Sequence, residues 1–146
     1  MPPDRSPSTA ASIGAAIRLP LLPAALRWLA VTGIAGTIAV YSVLLAPPTG
    51  GAVSVFDVAT SYLLHGLAYL GLGLALAYAI ADSDQPRRRR AIAVFAVVVG
   101  FGISIEFAQA TTGTRTPSPL DAVVNALGAA VSLGWYVVER RCTLVP

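Results

Sequence analysis

TSYLLHGLAYLGLGLALAYAIADSDQPRRRRAIAVFAVVVGFGISIEFAQA, residues 60–110, holds two long apolar runs separated by a short polar segment that ends in four arginines. A helix that spans a membrane needs about 20 mainly apolar residues, and residues 60–81 and 91–110 both meet that length. Neither run alternates as a barrel strand does, so the pair reads as a helical hairpin. The same reading extends outward to residues 28–46, which run into Pro47 and Pro48, and to residues 120–138. The expected fold is therefore all-α: a transmembrane bundle of four helices over residues 28–138.

Composition supports this class. Of the 146 residues 55% are hydrophobic and only 12% charged, with a mean hydropathy of +0.72. An average soluble domain is about a quarter charged, so too few polar side chains are present to cover a soluble surface. The length accommodates one compact unit. Cys142 is the single cysteine, which excludes an intrachain disulfide and a CxxC-type site. No repeat, P-loop, dinucleotide fingerprint or nucleophile elbow occurs, and no cofactor or metal is called for.

The arginines set the expected orientation. Arg5, Arg18 and Arg27 precede the first span, Arg87 to Arg90 follow the second, and Arg140 and Arg141 follow the fourth. Nine of the ten arginines thus fall on one side, and by the positive-inside rule that side is cytoplasmic. Both termini are then inside, with loops 47–59 and 111–119 outside. The RRRR run reads as a topological anchor with affinity for anionic lipid head groups, not as a nucleic-acid site. Residues 1–27 read as a disordered or interface-lying leader, because Arg18, Pro20 and Pro23 interrupt any signal-peptide core. Residues 139–146 read as a cytoplasmic tail.

The odd polar residues share one layer. His65 lies five residues, or about 8 Å, below the outer end of the second span, with Tyr69 a turn deeper on the same face. Glu106 and Gln109 are spaced i, i+3 at the outer end of the third span, and Asp121 and Asn125 i, i+4 at the start of the fourth. Arg115 sits in the loop between them. Ionisable side chains in hydrocarbon are costly unless paired, so an inward-facing cluster around an outward-opening pocket is expected. Plainer roles exist for most of these residues. Asp121 suits a helix start after Ser118 and Pro119, and Asn125 suits an interhelical hydrogen bond. His65 and Tyr69 suit packing, and Arg115 suits a loop. A carboxylate at Glu106 fits no cap or terminus role. The glycines of the spans suit close helix packing.

The order of these residues resembles a known pattern. Glu106, Gln109, Arg115 in a short proline-containing loop, then Asp121, Asn125 and Gly128, preceded by His65 and Tyr69 in HGLAYLGLG, resemble the VanZ-like family of small multi-pass membrane proteins. The resemblance covers residues 28–138. One departure concerns the family's usual Asp-Lys pair before the histidine, which here is Ser61-Tyr62, with Asp57 the nearest acid. The resemblance implies a multi-pass protein of the cell membrane. It also implies a link to the cell envelope and to glycopeptide (teicoplanin) resistance, although VanZ-like domains also occur where no such drug is met.

Three functions follow as expectations. The first is a non-enzymatic binder or remodeller of a cell-envelope or lipid-linked component, such as an anionic lipid or envelope precursor, with His65, Tyr69, Glu106, Gln109, Arg115, Asp121 and Asn125 as the ligand-binding set. The second is an intramembrane enzyme with Glu106 and His65 as its acid/base pair; a divalent-metal version would add Asp121. The third is a proton-coupled transporter, weakened by the scarcity of ionisable groups in the inner halves of the spans. The bilayer is the expected partner, and self-association is compatible with four short helices.

Overall fold

The computed structural model describes residues 17–45, 55–112 and 118–145. Arg115, the loops at 46–54 and 113–117, and the side chain of Asp57 lie outside the described residues. The elements in chain order are β1 (Ile17–Pro20), α1 (Ala24–Ala39) with a π-helical turn (Val40–Leu44), α2 (Val55–Ala79), α3 (Arg87–Thr112), α4 (Pro119–Ser132), α5 (Trp135–Glu139) and β2 (Cys142–Val145). Four helical stretches are long and apolar enough to cross a membrane: Ala24–Leu44, Thr60–Ala79, Arg87–Thr112 and Pro119–Glu139.

The bounds differ from the sequence reading at the helix ends. α1 starts at Ala24, in what reads as leader, because the Pro23 carbonyl accepts the amides of Leu26 and Arg27 and so opens the helix. α3 starts at Arg87 and takes in the whole arginine run, and its 26 residues span about 39 Å. That exceeds the roughly 30 Å hydrocarbon layer, so its polar ends reach past it. The fourth stretch is not one helix. It tightens at Leu133 and Gly134, whose amides bond three residues back, before continuing as α5.

Packing places α2 at the centre. Tyr69, Leu72, Leu76 and Ala77 of α2 meet Ile38 of α1, Val94 and Val98 of α3, and Ala129 of α4 in one core. Outside it, large apolar side chains are left bare: Leu44 is 72% exposed and Phe107 70%. Helices with an apolar outer surface suit a lipid solvent rather than water.

The all-α expectation is corrected at the flanks. Residues of the expected leader and tail form a two-stranded parallel ladder, Ile17 opposite Cys142 through Pro20 opposite Val145. The Leu21 amide extends it to the Val145 carbonyl at 2.7 Å. The Tyr78 hydroxyl donates to the Pro20 carbonyl at 2.7 Å and accepts the Leu22 amide at 2.9 Å. Parallel strands need a long crossover, and here the bundle supplies it: an even number of helical passes returns the chain to the same end. That end, which also carries the α2–α3 turn, is called the strand end below; the opposite one is the far end.

At the strand end two buried arginines hold the last turn of α2. A helix leaves its final carbonyls without intrahelical donors, and cations there also meet the negative end of its dipole. Arg27 Nη1 donates to the Ala79 carbonyl at 2.9 Å, and its two Nη groups grip the Asp82 carboxylate at 2.9 and 2.6 Å. Arg90 Nη1 donates to the Ala81 carbonyl at 3.1 Å and Nη2 to Glu139 Oε1 at 2.9 Å. Arg87 Nε stands 3.6 Å from Glu139 Oε2, an ion pair too long for a hydrogen bond. Within the RRRR run, Arg90 thus takes a structural part in the bundle. Only three of the four arginines are exposed, because Arg90 lies on the buried face of α3.

The Arg27–Asp82 contact predicts an acid response. The hydrogen bond from Arg27 holds the Asp82 carboxyl below its ordinary range. A depressed folded-state value means the stabilisation is present above the unfolded value, about 3.9, and is lost as pH falls through the folded value. The detergent-solubilised protein should therefore melt above the Asp82→Asn variant at pH 6. The gap should close on acidification from about pH 4 downward. A gap that stays constant to pH 2.5 would show that Asp82 does not titrate against Arg27.

Candidate functional site

The far end collects the polar residues. α4 begins with Ser118 in an extended conformation and Pro119 in the first turn, where a missing N–H does no harm. The Ser118 side chain makes no capping bond. Its amide donates instead to Glu106 Oε2 at 3.4 Å, so the α3 carboxylate holds the entrance of α4. Asp121, in the first turn, is buried along with Asn125 one turn on. The dipole favours Asp121 there, but a residue that only completed a helix start would face solvent.

Tyr69 is the centre of this layer. It is 1% exposed, its ring tilted 44° against Phe101 with centroids 6.2 Å apart. Gly102 makes the room: a Cβ there would lie 3.1 Å from the Tyr69 ring. The carboxyls of Glu106 and Asp121 both lie within electrostatic reach of the Tyr69 phenol. Residues of α2, α3 and α4 therefore meet.

Gln109 joins the layer to the π-helical turn. A π-helical turn pairs a carbonyl with the amide five residues on, as the Val40 carbonyl does with the Leu45 amide at 3.1 Å. The Ser42 carbonyl would need the amide of residue 47, which is proline and has none. Gln109 Nε2 donates to it at 2.8 Å instead. This fixes the amide orientation, since a carbonyl only accepts, and turns Gln109 Oε1 the other way. Among the described residues that oxygen has no hydrogen-bond partner, nor do Asn125 Oδ1 and the Tyr69 hydroxyl, although all three are buried. Buried polar groups without partners are rare and call for an explanation. The two amide oxygens are pure acceptors and lack a donor, while the Tyr69 hydroxyl lacks both a donor and an acceptor, so a water or a ligand carrying O–H or N–H groups would complete them.

His65 is placed differently. It is half-buried and lines a cleft of about 430 Å³ between the end of α1 and α2, with Thr37, Tyr41, Ser42, Ser61 and Tyr69 on the same wall. Among the described residues it has no hydrogen-bond partner, so the expected Glu106–His65 pair is not formed. Among the described residues no three His, Cys, Asp or Glu side chains gather as a metal-binding group, so His65, Glu106 and Asp121 do not form one. Tyr69 and Ser42 belong both to the cleft and to the polar layer, and they are the link between the two. The cleft's Thr37, Tyr41, Ser42 and Ser61 are absent from the sequence-based set. Only Ser42 carried a signal, standing five residues before a proline.

The chain matches no family model, no curated protein and no solved structure.

Proposed function

We propose that this is a VanZ-like protein of the cell membrane, with both termini cytoplasmic, that binds a cell-envelope or lipid-linked component at the outer end of its bundle without transforming it. The observation that supports this most is the layer of buried polar groups at Tyr69, Gln109 and Asn125 that have no partner among the described residues, set beside the carboxylates of Glu106 and Asp121. Hydroxyl-, amine- or amide-bearing head groups supply the donors such a layer lacks. The adjoining cleft past His65 is of a size for a small ligand group. In this reading Arg115 is the counter-charge for any anionic part of the ligand.

The enzyme reading is weaker because His65 lines the cleft without a hydrogen-bond partner among the described residues, so nothing couples it to Glu106 as an acid/base pair. A transport reading lacks groups for a proton relay, since the middle of α3 and of α4 holds no ionisable side chain.

The test is drug resistance. Wild type and Glu106→Gln, at matched membrane levels in a glycopeptide-sensitive Gram-positive host, are titrated with teicoplanin. Wild type should raise the inhibitory concentration, and the variant, which keeps the shape but loses the charge at the α4 entrance, should return it to the host's own. No rise with wild type removes the resistance link. An equal rise with both removes Glu106 from the site.

A further inference from the structure

At the strand end, opposite the site just proposed, a second cleft of about 430 Å³ opens beside the α2–α3 turn. Its lining combines Trp28 of α1, Ser83 and Gln85 of the turn, and Arg89 and Arg90 of α3, over a floor of Ala79, Ile80 and Ala93. The charges around it do not balance. Asp82, the one acid in the lining, is held by both Nη groups of Arg27. Glu139 takes Arg90 closely and Arg87 loosely. Arg88 and Arg89 have no acidic partner among the described residues. They also sit in the first turn of α3, which contains no acid and where the helix dipole disfavours cations.

Two further observations point into the cleft. Arg90 lines it while only 7% exposed, and its Nε has no acceptor among the described residues. The Ser83 hydroxyl oxygen accepts the Gln85 amide at 3.3 Å, which leaves its proton to donate. Arg89 reaches nothing closer than Gln85 Oε1, at 3.5 Å.

We propose that this cleft binds the phosphate of one anionic phospholipid in the leaflet at the strand end. Arg89 and the Ser83 hydroxyl meet the phosphate oxygens, as charge-assisted donors do. Trp28 sits at the rim, at the level where indoles mark the membrane interface. The acyl chains leave over Ala93 and the exposed Ile92. A free anion would be held by the same donors but would gain nothing from the apolar floor.

The test uses the full chain in detergent, titrated with phosphatidylglycerol or phosphatidylcholine of identical chains, with bound lipid counted by native mass spectrometry. One phosphatidylglycerol should be retained in preference. Arg89→Gln should weaken it by about tenfold or more, as for loss of a hydrogen bond to a charged group. Arg88→Gln removes the same charge from a side chain outside the cleft and should cost no more than about fivefold. Ala93→Phe fills the cleft at constant charge and should abolish the preference. Equal losses in Arg88→Gln and Arg89→Gln would reduce the run to a diffuse anchor and overturn the site, as would a preference that survives Ala93→Phe. Displacement of the lipid by millimolar inorganic phosphate would overturn the lipid as occupant.

Discussion

Glu139→Ala is expected to destabilise the protein by about 3–5 kcal/mol, the usual loss when one partner of a buried ion pair is removed. The Arg90 and Glu139 side chains are 8% and 6% exposed and meet at 2.9 Å. Without Glu139 the guanidinium stays enclosed beside the Tyr136 ring, 5.5 Å away, with its Nη1 still committed to the Ala81 carbonyl. Moving it into water would uncap the end of α2. Thermal or denaturant unfolding of the detergent-solubilised protein measures the loss. The Arg90→Leu, Glu139→Leu double variant removes both charges and should recover much of it, because a buried pair contributes little net stability over apolar replacements. Recovery should stop short of wild type, since the Ala81 carbonyl then lacks its donor. A Glu139→Ala protein within about 0.5 kcal/mol of wild type, the range of an ordinary surface change, would mean that the pair is open to water.

That pair shows where sequence reading succeeded and where it stopped. The four spans were legible because length and hydropathy decide them, and the polar layer because its members interrupt apolar runs. RRRR offers four identical letters, and only the phase of α3 separates them. The buried face of α3 passes through Gln109, Ile105, Gly102, Val98 and Val94 to Arg90, in steps of three and four residues. Gln109 was already marked as inward-facing, so its face, followed back about five turns, ends on Arg90. The same logic failed for His65. It shares a helix face with Tyr69, but α2 has different neighbours at those two depths, and His65 meets the cleft beside α1 instead of the carboxylates. IRLP and CTLV are too short to announce strands. Their pairing depends on how many times the chain crosses between them, which no local pattern carries.

Gly128→Val is expected to be the second severe change, at about 3 kcal/mol or more, the upper range for overpacking. A Cβ on Gly128 would run into the Gly66 carbonyl oxygen and come within 3.1 Å of the Leu70 amide nitrogen. Both obstacles are α2 backbone, so no rotamer change relieves them and the two helices must separate. Small residues at such crossings let membrane helices pack by van der Waals contact alone. Gly71→Ala is the matched control: nothing lies within 4 Å of a Cβ there, and alanine suits a helix interior better than glycine by about 1 kcal/mol. It should be neutral or stabilising. The damage should also reach the site, because the same contact sets α4 against α2, one turn below Asn125 and next to Tyr69. Gly128→Val should therefore lose the buried arrangement of Tyr69, Asp121 and Asn125 along with stability, while Gly71→Ala keeps both. A Gly128→Val protein that melted like wild type would show that α2 and α4 can pack in a second register, and that the layer formed by Tyr69, Asp121 and Asn125 does not depend on this crossing.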